Sequence, residues 1–170
     1  VTELGAKPTM SVPAATNGRA EMEAAYRFFD NPRVSPERIL QPHIKATRQR
    51  ITQSEVALLV QDTTELDLTR PKQQVDGAGP IECETNRGAF FHPLVAFDAQ
   101  GLPLGVAWQK NWARDKIETK LSAKEKREQR RKTPIEEKES IRWLEGIRAS
   151  RQVAEACPGT QCICVADSEA

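Results

Sequence analysis

No stretch of this chain approaches the roughly 18 consecutive apolar residues that a membrane-spanning helix requires, so no span is expected. Residues 1–11 lack a basic region followed by an apolar run, so no secretory signal is visible. Position 1 is Val rather than Met, which leads us to expect residues upstream. The four cysteines, Cys83, Cys157, Cys162 and Cys164, lack the paired C-x2-C spacing of a zinc site, and without an export signal they read as reduced cytosolic thiols. There is no Gly-rich phosphate loop, no Ser/His/Asp arrangement and no internal repeat. His92 has no second His or acid nearby in the sequence and reads as a packed or hydrogen-bonded histidine. Trp108, Trp112 and Trp143 read as core or edge packing.

What is present is a 170-residue chain with 38% hydrophobic residues, enough for one ordinary core plus an appendage. Its net charge of +1 conceals a block pattern. Residues 1–53 carry +3, residues 54–109 carry −5, residues 110–132 carry +6 and residues 133–170 carry −3. Acidic and basic blocks in alternation suit a protein whose carboxylates hold metal while other surfaces meet a polyanion.

Residues 1–18 read as an irregular lead-in, and a helix is expected from about Arg19 to Phe29. Met22, Ala25, Tyr26 and Phe29 have the spacing of one buried stripe. Asp30-Asn31-Pro32 ends it, and Ser35-Pro36 starts another helix, with Ser35 as N-cap and Pro36 in the first turn. Pro42 is expected to break or kink that helix before it resumes toward Ile51. The β-branched run Val56 to Val60 then predicts a buried strand that delivers Asp62 at its polar end. After a Gly- and Pro-rich loop, Ala89 to Phe97 and Leu104 to Trp112 read as antiparallel strands joined by Asp98-Ala99-Gln100-Gly101. The basic stretch Lys110 to Lys132 reads as a mobile loop or an exposed helix, an arm able to track phosphates without reading sequence. Thr133-Pro134-Ile135-Glu136 has the form of a capping box and predicts a helix to about Ala156, burying Ile141, Leu144, Ile147 and Ala154. Gln161 to Ala166 predicts a last strand, which ends on Asp167. This order implies an α/β domain with a mixed sheet, over residues 54–170, preceded by a small basic helical unit over residues 1–53.

Two-metal phosphoryl transfer needs clustered carboxylates, and short Asp side chains at rigid strand ends suit that task. Asp62 and Asp167 have that type and position, with capping or solvated acids as the alternative. Their hard oxygen ligands would select Mg2+ or Mn2+.

Several segments, in order, resemble the insertion-sequence-four transposases, the group that includes the Tn-five-like enzymes. AAYRFFDNPRVSP (24–36) is similar to the family's N-terminal segment, and LLVQDTTELDL (58–68) to its first catalytic strand. GAFFHPLVAFDAQGLPLGVAWQKNWAR (88–114) resembles the hairpin that follows, EEKESIRWLEG (136–146) the Glu-Lys-Glu-Ser helix and CVADSEA (164–170) the strand of the second acid. The resemblance implies a partial ribonuclease H-like catalytic core, with Asp62 and Asp167 as the first two members of an Asp-Asp-Glu triad. Asp67 lies outside the aligned Asp-Thr-Thr. The third acid is expected beyond Ala170, within a Tyr-x2-Arg-x3-Glu-x6-Lys signature, so this chain alone should be inactive. Ser168 stands where the family often has Arg, and the basic stretch before the Glu-Lys-Glu-Ser helix is longer than usual.

The implied activity is DNA transposition by metal-dependent phosphodiester hydrolysis and strand transfer. The partners would be double-stranded DNA, as inverted-repeat ends and target, with a homodimer for the full-length protein. The expected location is the bacterial cytoplasm, on the nucleoid. Arg27, Arg33, Lys45, Arg48 and Arg50 from the helical unit, and Lys126, Arg127, Arg130 and Arg131 from the basic stretch, are the candidate phosphate contacts. The alternatives are a non-catalytic DNA-binding remnant of a decayed element and another ribonuclease H-like nuclease. The codons that follow would separate all three.

Overall fold

The computed structural model describes residues 2–70, 75–81, 85–115 and 122–167. The chain forms two compact units, residues 1–42 and residues 43–170.

The first unit holds α1 (Thr2–Ala6), α2 (Val12–Ala15), α3 (Arg19–Phe29) and the start of α4 (Pro36–Ile51). Ser35 caps α4 as expected: its Oγ accepts from the Arg38 N–H at 3.3 Å. The stripe expected to be buried on α3 is not. Tyr26 and Phe29 are 50% and 57% exposed, and no α3 residue is fully buried. Helical spacing defines a stripe, but burial also needs a facing surface. Among the described residues of this unit, Ala15 is the only one that is fully buried. Pro42 does not interrupt the helical assignment of α4, although the two units divide there. A proline N–H is absent, so a single i to i−4 bond is lost.

The second unit starts with the last turns of α4, where Thr47 and Ile51 are buried. This extends the unit upstream of residue 54, where composition changes. A six-stranded mixed sheet follows: β1 (Val56–Gln61), β2 (Thr64–Asp67), β3 (Gly79–Pro80), β4 (Arg87–Asp98), β5 (Pro103–Trp112) and β6 (Gln161–Val165). The long strand β4 is its organiser. It pairs antiparallel with β5 on one side, and with β1 and β2 in succession on the other. The expected hairpin is present. Asp98 Oδ1 accepts from Gln100 N and Leu102 N at 2.9 and 2.8 Å, and Gly101 takes φ +84°.

β5 is irregular, with register shifts near Leu94/Val95 and Ala96/Phe97. Bulges leave ladder groups unmatched, and α4 engages two backbone groups there. His43 Nε2 accepts from Val106 N at 3.0 Å, and Arg50 Nε donates to the Leu104 carbonyl.

The crossover to β6 differs from the expected form. The capping box sits upstream, at Ser122 and Glu125, and starts α5 (Ala123–Lys132). Residues Ile135–Glu137 form only a 3-10 turn, and α6 runs from Ile141 to Ala156. Its buried face is Trp143, Gly146, Ala149, Ser150 and Val153, while Leu144 and Ile147 are 38% and 49% exposed. Both sets fit a helical period. Small residues win because they let α6 approach the sheet: a Cβ on Gly146 would lie 1.9 Å from Gln61 Oε1.

β6 then pairs parallel with β1, from Val56↔Gln161 to Val60↔Val165. The core lies between α6, the end of α4 and one sheet face, with Ile51, Ala57, Leu59, Leu94, Ala96 and Val153 at its centre. No helix among the described residues is long and apolar enough to cross a membrane.

Candidate functional site

Two parallel strands end side by side at the candidate site. Their last register pair is Val60↔Val165, and Asp62 and Asp167 each lie two residues further on. Strand alternation puts Ala57, Leu59 and Gln61 on the buried face of β1, so Leu58, Val60 and Asp62 fall on the other. On β6 the same alternation groups Ile163, Val165 and Asp167 with that second face, because Leu58 pairs Ile163 and Val60 pairs Val165. Both acids are exposed. Asp62 Oδ1 accepts from the Thr63 N–H at 2.6 Å. Asp67 is at the far end of β2, where it accepts from Thr69 N at 2.8 Å. The Thr69 hydroxyl first, and that backbone bond second, hold its carboxyl below the usual range.

The break between β1 and β2 keeps register. Gln61 pairs with Leu94 and Thr64 with Phe91, so Asp62 and Thr63 stand opposite Pro93 and His92. Proline offers no N–H to a ladder, which favours an interruption here.

At the strand end runs a polar chain whose centre, His92 and Gln61, is buried. Arg142 Nε donates to Thr63 Oγ1 at 2.7 Å, and Thr63 Oγ1 meets His92 Nδ1 at 2.8 Å. His92 Nε2 meets Gln61 Oε1 at 3.2 Å, and Gln61 Nε2 donates to Cys164 Sγ at 3.4 Å. The carbonyl oxygen of Gln61 can only accept, so His92 carries its proton on Nε2 and Thr63 donates to Nδ1. Burial first, and the Arg142 charge second, push the His92 pKa down, while the charges of Asp62 and Glu145 oppose them. His92 is fully buried and Trp143 packs edge-on against it, with centroids 4.8 Å apart. The packed, hydrogen-bonded histidine expected from sequence is what the fold contains. The chain ties β1, β4, α6 and β6 together just below both acids.

Beside it lies an edge of paired charges and rings. Arg114 binds Glu139 through two nitrogens at 2.6 Å each and stacks over Phe90, 4.2 Å from the ring centroid. Trp112 stacks on the same Phe90 ring, with centroids 5.2 Å apart, and donates through Nε1 to Glu139 at 3.3 Å. The Arg114 guanidinium, through those bonds, holds the Glu139 carboxyl below its usual range, against the effect of burial. Lys110 pairs with Glu145. Thr63, Gln61, Arg142 and Glu139 were not singled out from sequence. Thr63 directly follows Asp62, but nothing in the linear order signals that Arg142, far along the chain, meets it.

The candidate DNA contacts divide by environment. Arg27, Arg33, Lys45, Arg127 and Arg131 are exposed. Arg50 is engaged with Leu104 and with Thr47 Oγ1, and Arg48 has a buried Nε without a hydrogen bond among the described residues. Lys126 and Arg130 lie in α5, and their side chains are outside the described residues. So is Cys83, while Cys157, Cys162 and Cys164 are free thiols. Among the described residues, no group of three His, Cys, Asp or Glu side chains forms a metal-binding cluster.

Residues 1–34 match the family described as transposase DNA-binding. The match supports a transposase and a DNA-binding role, with DNA as partner. No curated protein matches the chain.

Proposed function

We propose that this chain is part of a transposase of the insertion-sequence-four type, with a partial ribonuclease H-like catalytic core in which Asp62 and Asp167 are two of three metal-binding acids. The observation that carries this reading is the parallel register of β1 and β6, which leads both strands to an Asp at the same level. The strand order supports it as well: an antiparallel set β5-β4-β1, followed across α6 by a parallel β6 beside β1. The match of residues 1–34 to a transposase DNA-binding family agrees with the same reading.

Two exposed carboxylates with hard oxygen donors fit Mg2+ or Mn2+, though two are fewer than a closed shell needs. A bound divalent ion would supply Lewis-acid stabilisation to a phosphodiester. The chain's own share is positional. The Thr63–His92–Gln61–Cys164 links join β1, β4 and β6 at the strand ends, which favours a fixed spacing of the two acids. A third acid from further along the protein would complete the set, and with it hydrolysis and strand transfer at element ends. Arg27, Arg33 and Lys45, with Lys126, Arg127, Arg130 and Arg131 of α5, would contact duplex phosphates; Arg48 and Arg50 are less available for this because the second unit engages them. In this reading the protein acts on the nucleoid in the bacterial cytoplasm, and as a homodimer when full length.

Titrating the chain with Mn2+, followed by electron paramagnetic resonance, tests the site. Weak binding that disappears in both Asp62→Asn and Asp167→Asn is the expected result. Binding that survives both substitutions would end the two-acid reading.

A further inference from the structure

The side chains around the strand ends leave one cation without an ion pair among the described residues. Of the three that line this edge, Lys110 is neutralised by Glu145 and Arg114 by Glu139. Arg142 makes no ion pair within 4 Å among the described residues; its charge acts on Glu139, whose carboxylate is bonded to Arg114 instead. Its Nε is committed to Thr63 Oγ1, the residue next to Asp62. Its guanidinium lies 5.6 Å from the Trp112 ring centroid and 5.5 Å from that of Trp143. Two rings and one hydrogen bond therefore orient it, while its terminal nitrogens make no hydrogen bond among the described residues.

An arginine fastened through Nε keeps the two terminal nitrogens as a fork, the geometry that phosphate oxygens fit. Aromatic flanks lower the entropy lost when that fork engages a ligand. Arg142 is the second residue of α6, which starts at the end of the sheet where β1 finishes. A guanidinium fork without a hydrogen bond among the described residues, at the strand end that carries Asp62, has a clear use if the ligand is an anion brought to that strand end. The excess positive charge would offset a phosphate that the acids would otherwise repel.

We infer that Arg142 grips a DNA phosphate at this site, through its terminal nitrogens, while Thr63 holds its Nε. This rests on the two-acid reading above for the location of the strand, and the phosphodiester of duplex DNA is the ligand. Arg142 is thus a substrate-positioning side chain distinct from the exposed cations of residues 1–34 and α5.

The test compares Arg142→Gln and Arg142→Lys with the unchanged chain. Affinity for a fluorescent duplex of random sequence is measured against salt in Mn2+ buffer, alongside Mn2+ affinity without DNA. One phosphate contact contributes about −0.9 to the slope of log affinity against log salt. Arg142→Gln should flatten the slope by about 0.9 and leave Mn2+ affinity in place. Arg142→Lys should retain the slope, because it keeps the charge, but bind less tightly, because it loses the Thr63-anchored fork. An unchanged slope in Arg142→Gln overturns the inference. So does an equal loss of slope in Arg142→Lys, which would mean that the change is structural. Loss of Mn2+ affinity in Arg142→Gln also overturns it, since Arg142 would then act by holding the strand end. Mn2+ binding that ignores Asp62→Asn condemns the two-acid reading alone, and the slope still decides whether Arg142 meets a phosphate.

Discussion

Residues 1–42 and residues 43–170 use apolar side chains in opposite ways. In the first unit Tyr26, Phe29, Met10 and Ile39 are all about half exposed or more, and among its described residues only Ala15 is fully buried. In the second, Leu59, Leu94, Ala96 and Val153 are sealed between sheet and helices, together with the polar pair Gln61 and His92. The family match falls wholly on the unit with little core, and the candidate chemistry on the unit with much. Recognition needs apolar and basic groups at the surface, whereas a metal site needs strand ends that do not move. Apolar side chains are thus left at the surface in one unit and packed into a core in the other.

The largest effect should come from attacking the core of the second unit. Leu94 is fully buried, and Leu94→Ala should cost about 2–5 kcal/mol in urea unfolding. Tyr26→Ala in the first unit should change stability by no more than about 0.5 kcal/mol. Equal losses for the two would erase the contrast, because Tyr26 would then have tertiary packing that its exposure denies.

A second effect should appear in DNA binding. Changing Lys126, Arg127, Arg130 and Arg131 together to Gln should weaken binding to every duplex alike and flatten the salt slope by about 2 to 4 units. The companion double change Arg27→Gln with Arg33→Gln sharpens the comparison between units. A slope untouched by the α5 changes would leave phosphate contact to residues 1–42 and make α5 a solvated surface helix.

The smallest effect is a pH dependence. The folded pKa of His92 is depressed, so below about pH 6.5 the unfolded chain takes up a proton that the folded chain refuses. The stability tied to neutral His92 is therefore fully present above that pH and falls as pH drops toward the folded pKa. Unfolding midpoints across that range should show the decline, and His92→Asn should remove the share due to this ring. A decline that persists unchanged in His92→Asn would assign it to other groups.

Much of this was legible residue by residue, wherever the physics is local. Ser35 before Pro36 makes a helix start in any context, and Asp98 with Gly101 makes a tight hairpin, because both depend on neighbours a few positions away. The β-branched apolar run Val56 to Val60 and the stretch Gln161 to Ala166 were enough to announce strands leading to Asp62 and Asp167, and strands form at Val56–Gln61 and Gln161–Val165. Other features had two sequence solutions. α6 carries both a stripe of Leu144 and Ile147 and one of Gly146, Ala149 and Ser150, and only the approach of Gln61 and Cys164 selects the second. Likewise Thr133 to Glu136 reads as a capping box, whereas the structure forms that box at Ser122 and Glu125. Asp62 and Asp167 were individually visible in the chain, but their shared level depends on the β1–β6 register, which is a long-range pairing. The Arg142–Thr63 bond joins residues 79 positions apart. Sequence by itself therefore located β1, β4, β5 and β6, the hairpin turn and the acids that follow β1 and β6. Tertiary structure alone decided which helix face was buried and which arginine stood beside those acids, because both depend on contacts between surfaces that are remote along the chain.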